Sequence, residues 1–277
     1  MKNNRLGRIY ICLLFFVLIL LTILFVSVSW QGLKISYYTV ESDRIEEPVR
    51  IVHISDLHST FFGDGQEDII NAVKEAEPDI ICFTGDIADD DIPHEATVIL
   101  AEALGKSYDC YYVSGNHEYH APEGLEWVKS EIFEANGIKV LDPGTETLVV
   151  KGQRISVSGL DDIEKTGYDK WLNQLKECSE SKDDDTFSIL LSHRPERVKE
   201  FSECDFDLIL AGHTHGGQII IPGVFNGIFA SSQGFFPQYA GGEYDIGDSK
   251  MIVSRGMVKN ILPRTFNPPE LVIIDAV

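Results

Sequence analysis

The chain has 277 residues, 44% of them hydrophobic, and a net charge of −21 from 44 acidic against 23 basic side chains. Its length suits one large domain or two small ones. All 44 acidic residues lie beyond residue 30 together with 20 of the 23 Lys and Arg, so that part carries −24 and repels phosphate backbones, excluding nucleic acid as a tight partner.

The first thirty residues form a unit of their own. Met1 to Arg8 carries Lys2, Arg5 and Arg8 and no acid, and Ile9 to Val28 then runs uncharged for 20 residues, the length of a bilayer core. The basic flank precedes the span, which places the N-terminus in the cytoplasm and the rest outside, in a single-pass arrangement. A cleaved signal peptide is the competing reading, because Ser27-Val28-Ser29 resembles a small-x-small site. The apolar run exceeds the usual signal core of about 7–15 residues, which favours an uncleaved anchor.

A juxtamembrane strand or linker occupies 31–49, with alternation over Leu33–Val40 predicting an edge strand. From residue 50 to 277 strand and helix patterns alternate. Helices are expected over Asp68–Lys74, His94–Lys106, Pro122–Ala135, Tyr168–Cys178 and Pro195–Phe201. Thr145–Val150 and Arg154–Leu160 read as a hairpin across Lys151-Gly152, Ser179–Thr186 as an exposed loop, and Met251–Ser254 and Leu271–Ile274 as late strands. Cys12 lies in the span and Cys82 in a buried-strand pattern. Cys110, Cys178 and Cys204 show no paired spacing, so neither a zinc ribbon nor a disulfide framework is indicated.

Five apolar runs end in polar residues of metal-binding type. Arg50–Ser55 leads to Asp56-Leu57-His58, Asp79–Thr84 to Gly85-Asp86, and Cys110–Ser114 to Gly115-Asn116-His117-Glu118. Phe187–Ser192 leads to His193, and Phe206–Ala211 to Gly212-His213-Thr214-His215. Side chains at i and i+2 of extended chain share a face, so His213 and His215 can enter one pocket, with glycines allowing close backbone approach. Active sites of layered α/β folds gather at the carboxyl ends of strands, and Asp, Asn and His delivered there suit a binuclear metal centre.

These blocks, in this order, resemble the calcineurin-like metallophosphoesterase superfamily over roughly residues 50 to 275. Ser254-Arg255-Gly256, Pro268-Pro269-Glu270 and the N-terminal span are similar to a bacterial membrane-attached branch. That branch is related in turn to hydrolases that cleave UDP-2,3-diacylglucosamine. The resemblance implies an α/β (α+β) fold: a four-layer sandwich of two mixed β-sheets flanked by helices, here preceded by one transmembrane helix.

It also implies a ligand set: Asp56, His58 and His215 for a first divalent metal, Asn116, His193 and His213 for a second, and Asp86 bridging both. Imidazole, carboxylate and amide oxygen suit Mn, Fe or Zn. Such metals, held about 3.5–4 Å apart, generate a bridging hydroxide for in-line attack on phosphorus. His117 is then the acid that protonates the leaving oxygen and Asp89 its orienting partner. Protein phosphatases of the superfamily carry Arg where Asp90 stands, so a protein phosphatase is not expected. Arg194 and Arg255 are the candidates for substrate charge. Glu118 is expected to support the site, and His53, His94 and His120 to be structural or solvated.

The aromatic segment Pro222–Tyr244 is either a lid over the pocket or a cap on the core. The implied function is hydrolysis of a phosphodiester, pyrophosphate or phosphomonoester, as in an envelope lipid or glycolipid resembling UDP-diacylglucosamine. No protein partner is inferred. The alternative is a metal-binding scaffold of the same fold with lapsed catalysis, against which the intact His117 argues.

Overall fold

The computed structural model describes residues 2–28, 30–141, 143–259 and 264–277. Helix α1 (Lys2–Val28) contains Gly7–Val26, a stretch long and apolar enough to cross a membrane, none of it buried against the rest of the chain. Ser29, the last residue of the signal-like Ser27-Val28-Ser29 stretch, lies outside the described residues, as does Met1.

The domain follows with β1 (Lys34–Val40), β2 (Val49–Ile54), α2 (Glu67–Ala76), β3 (Ile80–Thr84), α3 (Glu95–Gly105) and β4 (Asp109–Val113). Next come α4 (Leu125–Trp127), continued by a π-helical turn over Val128–Phe133, then β5 (Lys139–Val140), β6 (Gly144–Val150) and β7 (Gln153–Gly159). The second half holds α5 (Ile163–Thr166), α6 (Tyr168–Ser181), β8 (Phe187–Leu191), α7 (Val198–Phe201) and β9 (Leu208–Ala211). It ends with β10 (Phe229–Ala230), β11 (Gly234–Phe235), β12 (Gly242–Ile246), β13 (Ser249–Val253) and β14 (Glu270–Ala276).

Two six-stranded mixed sheets carry the architecture, in the orders β1-β14-β2-β3-β4-β5 and β12-β13-β9-β8-β7-β6. The strands at the centre are short apolar runs buried on both faces, as parallel strands sandwiched between layers must be. Alternate residues therefore serve two cores. Ile51, Cys82 and Tyr111 of the first sheet meet Ile155, Ile189 and Leu210 of the second between the sheets. Val52, Ile81 and Tyr112 face outward onto Ile69 and Val73 of α2, Leu100 and Leu104 of α3, and Phe133. On the other side Leu190, Ile209 and Met251 face Trp171 and Leu175 of α6. The result is helix, sheet, sheet, helix: four layers, as the resemblance implies.

Elements follow the sequence reading closely, with three differences. Pro195–Phe201 forms helix only from Val198, and α4 begins three residues after Pro122. The charged stretch Ser179–Thr186 is not wholly an exposed loop, since α6 runs on to Ser181 and Lys182 and Thr186 are buried. Strand β1 is the edge of the first sheet, paired along its whole length with β14, so the stretch after α1 is integral to that sheet. All five cysteines are free thiols.

Strand direction positions the site. Strands β2, β3 and β4 run parallel, as do β7, β8, β9 and β13, so their carboxyl ends open at one end of the sandwich.

Candidate metal centre

Each candidate ligand sits just past a strand end. Asp56 and His58 follow β2, Asp86 follows β3, Asn116 follows β4, His193 follows β8, and His213 and His215 follow β9. Backbone pairing continues past the strands: Asp56 N–H donates to Gly85 O at 3.0 Å and His58 N–H to Asp86 O at 2.9 Å. The loops turn sharply, and Asp56, His58, Asp86, His213 and His215 all adopt positive φ between 48° and 68°. Such non-glycine geometry costs of order 1–3 kcal/mol per residue and clusters where function over-determines the backbone. A Cβ on Gly115 would overlap the Asp86 carboxylate, and one on Gly212 would overlap Asp56 and Ser55. These two glycines let neighbouring loops close on the carboxylates.

The candidate ligands form two groups that share Asp86. Asp56, His58, Asp86 and His215 converge on one point, Asp86, His193 and His213 on another, and a third cluster brings His58, Asp89 and His117 together. Asp86 Oδ2 faces both groups that share it, at 3.7 Å from His58 Nε2 and 3.2 Å from His193 Nε2. Its other oxygen accepts the backbone N–H of His117 at 2.9 Å. Ring nitrogens also face one another, His58 Nε2 to His215 Nε2 at 3.2 Å and His213 Nδ1 to His193 Nε2 at 3.1 Å. Converging lone pairs around a shared carboxylate oxygen are what two divalent cations require of a protein.

Outer contacts fix the rings. His193 Nδ1 donates to Thr84 O at 2.7 Å and His58 Nδ1 to Asp89 Oδ2 at 2.9 Å, leaving each Nε2 directed inward. Ser55 Oγ donates to Asp56 Oδ2 at 2.6 Å, and the His213 N–H donates to the same carboxylate at 2.9 Å.

Electrostatics follow from this crowding. Burial opposes charge on His193, but Asp86 and Asp56 outweigh it and lift that ring to about 10. Burial, with His193 and Arg194 nearby, pushes His213 down to about 2. Asp56 is drawn down to about 2 against its burial, chiefly by His215.

His117 lines a cavity of about 320 Å³ together with Asp86, Asn116, His213, His215 and Phe229 to Ser231. Its Nδ1 lies 2.7 Å from Asp90 Oδ1 and 3.8 Å from Asp89. The nearer partner of His117 is therefore Asp90. Asp89 is drawn instead to His58, because the turn after Asp86 presents its carboxylate to that ring. Arg194 is buried beside the second group: Nε donates to Asp162 at 2.7 Å, Nη1 reaches His213 Nε2 at 2.9 Å and Nη2 reaches Asn116 Oδ1 at 3.3 Å. Arg194 Nη2 also pairs with Glu164 at 2.8 Å, and neither Arg194 nor Arg255 lines the cavity. Arg255 Nη2 donates to Asn226 Oδ1 at 2.8 Å and to Gly241 O at 3.2 Å, holding the loop after the histidine pair.

His53 is buried against Thr84 and kept neutral, its pKa pushed down to about 3 by burial, while His94 pairs with Glu123 at 3.2 Å and His120 is exposed. The fully buried Glu118 accepts four backbone N–H groups, Ile87 and Ala88 on Oε1, Asp86 and Gly115 on Oε2. Burial and the charge of Asp86 push its pKa up to about 7. Residues that sequence reasoning missed include Asp90, Asp162, Arg264 and Asn267. Arg264 donates to Gly256 O, Val258 O and His215 O, and Asn267 to His215 O at 2.8 Å, so both fasten the loop carrying that histidine.

Residues 49–217 match the family described as Calcineurin-like phosphoesterase. The chain belongs to that family. It is 32% identical over 248 residues to the uncharacterized metallophosphoesterase YkuE of Bacillus subtilis, covering 85% of this chain and 82% of that protein. It is 26% identical to a Danio rerio protein named transmembrane protein with metallophosphoesterase domain, over 77% of this chain and 53% of that one. A dimetal phosphatase of known structure from Danio rerio shares the fold, with a TM-score of 0.50 at 13% identity over 77% and 90% of the two chains. Calcineurin-like phosphoesterases use two divalent metals, and this phosphoesterase has clustered ligands to match. It is a metal-dependent phosphoric ester hydrolase.

Glu118→Gln tests how the phosphoesterase loops are fastened. The amide nitrogen would face two N–H donors, leaving them unsatisfied at a cost of about 1–3 kcal/mol. Scanning calorimetry should show a melting temperature lower by about 2–4 °C for each kcal/mol lost. A wild-type melting temperature would show that the four amides do not depend on this carboxylate.

Proposed function

We propose that the protein is a membrane-anchored dimetal phosphoesterase hydrolysing a phosphodiester, pyrophosphate or phosphomonoester of an envelope lipid or glycolipid. The carrying observation is Asp86 Oδ2 facing both ligand groups at once. On this reading Asp56, His58 and His215 hold one metal, Asn116, His193 and His213 the other, and Asp86 bridges. Bound there, two cations (Mn, Fe or Zn) supply Lewis acidity to the phosphoryl oxygens and an ionisable water between them.

The chain's own residues do the rest. Asp90, with Asp89 behind it, holds His117 Nδ1, so the other ring nitrogen is free to give a proton to the leaving oxygen in the cavity that His117 lines. Arg194, held by Asp162 and Glu164 behind the cavity, touches two of its lining residues, Asn116 and His213, and is the nearer candidate for substrate charge; Arg255 serves the loop. Were a metal held at His213 Nδ1, the ring proton would sit on Nε2, where Ser231 Oγ could accept it and Arg194 would lose the acceptor it now uses. The Gly7–Val26 helix and the name of the zebrafish relative support the membrane attachment. The basic N-terminal flank supports a cytoplasmic N-terminus and an external catalytic domain. We place the anchor in 1–30 and the catalytic domain in 50–277, with 31–49 between them contributing β1.

Two substitutions test the assignment. Asp86→Ala should retain less bound metal than His58→Ala or His193→Ala, because it strips an oxygen from both groups. Metal analysis finding two full equivalents in Asp86→Ala would remove the bridging role.

His117→Asn should keep both metals and lose roughly 10²–10⁴-fold in turnover on esters with poor leaving groups. The loss should shrink for p-nitrophenyl esters, whose leaving group departs without a proton. Equal losses on both kinds of ester would rule out general acid catalysis by His117, and no turnover by the wild type under Mn, Fe or Zn would favour the scaffold reading.

A further inference from the structure

The register of the first sheet fixes where the chain enters the domain. Strand β2 ends at the metal centre, β14 is antiparallel to β2, and β1 is parallel to β14, pairing Lys34 with Glu270. The start of β1 therefore lies at the metal-centre end of the sandwich, and only residues 29–33 stand between Lys34 and the end of α1 at Val28. Lys34 N–H donates to Pro269 O at 2.8 Å, three residues from Phe266, and Thr265 bridges to Ile219 beside the cavity.

That end is also where the domain is apolar. Of the sixteen large apolar side chains exposed beyond α1 among the described residues, eight lie between Ile219 and Phe236 or at Phe266. Phe235 is 74% exposed and Phe236 58% exposed. Phe229 and Phe235 pack edge to face at 5.3 Å, and Phe225 lies against Phe236 at 4.8 Å, so the rings brace one another at the surface. Tyr239 and Tyr244 of the same segment pack on the core instead. From Gly216 to Gly242 there is no charged side chain, in a chain that carries 44 acidic residues. A solvated loop in such a chain has no reason to exclude charge so completely, and patches of this kind mark contact surfaces.

We infer that this aromatic rim is a lipid-contacting surface, seating the mouth of the metal-centre cavity on the bilayer that α1 crosses. The inference rests on the reading of α1 as a membrane span. A lipid surface fits better than a protein partner because the short connection from α1 already brings the rim to the bilayer. Exposed aromatic and aliphatic side chains without acidic neighbours can enter the boundary between headgroups and acyl chains.

The test uses the full chain reconstituted in phosphatidylcholine nanodiscs, with and without bromine on the acyl chains. Phe235→Trp adds a fluorophore on the rim. Val149→Trp adds one at an exposed position on β6 next to the β6–β7 turn, at the opposite end of the second sheet. Comparison of wild type with Trp30→Phe reports on the residue that follows the span. Brominated lipid should quench most of the emission added at 235 and of that due to Trp30, and leave the emission added at 149 unchanged. Quenching at Trp30 with none at 235 would overturn the rim while keeping the anchor. Absence of quenching at both would overturn the span reading and the rim together. Quenching at 235 that varies with protein-to-lipid ratio would assign the rim to contacts between copies of the chain and overturn the lipid contact. Melting temperature of each variant, expected to match wild type at these exposed sites, checks that folding is intact.

Discussion

Two carboxylates, Asp56 and Asp86, are fully buried within one cluster, and everything else at this end of the fold answers that constraint. An uncompensated buried carboxylate costs several kcal/mol, and a second one nearby makes the first worse. Part of the compensation is backbone: the N–H groups of His213 and His117 point at Asp56 and Asp86. The rest falls to imidazoles, which is why His193 and His58 are raised while His213 and His215, crowded by burial and neighbouring cations, are lowered. Divalent cations at the same points would satisfy the carboxylates and all four rings together. The left-handed backbone at five of the seven candidate ligands is the conformational cost of aiming them from strand ends at so small a volume.

Much of this is legible in the sequence. Apolar runs of strand length, each ending in Asp, Asn or His, specify which ends of which strands meet. The burial of alternate residues on two faces, Ile51 inward and Val52 outward, accounts for the four layers. Contacts set by the turns are not legible in the same way. Asp89 and Asp90 are adjacent in sequence, and only the path of the loop gives the first to His58 and the second to His117. Asp90 is the residue at which this chain departs from the protein phosphatases, so the departure itself is the available signal. Arg255 reads as a phosphate ligand because it is cationic and near a motif, yet Asn226 and Gly241 claim it. Arg264 and Asn267 act through main-chain carbonyls, which leave no pattern in side-chain spacing.

The same sheet register that assembles the metal centre decides which way it faces. Because β14 returns antiparallel to β2 and β1 lies parallel to β14, the N-terminal helix connects at the metal-centre end rather than the far one. Had β1 paired antiparallel to β14, the connection would fall near Ala276, and the cavity would point away from the helix. One strand direction thus links the membrane reading of the N-terminus to access at the active site.

Cavity size carries that link one step further. At about 320 Å³ the pocket over the metal centre lies at the small end of ligand sites, which run from about 300 to 1,000 Å³. A volume of that size suits the polar end of a lipid better than a whole lipid. On the lipid reading, the chains of a substrate would remain in the bilayer or against Phe235 and Phe236, and only the polar end would enter. Specificity would then divide between two surfaces: the cavity would read the phosphoester, and the rim would select for substrates already held at the membrane. A deep apolar tunnel is not needed for such an enzyme, because burying an aromatic side chain at the lipid boundary contributes about 1.5–3 kcal/mol by itself.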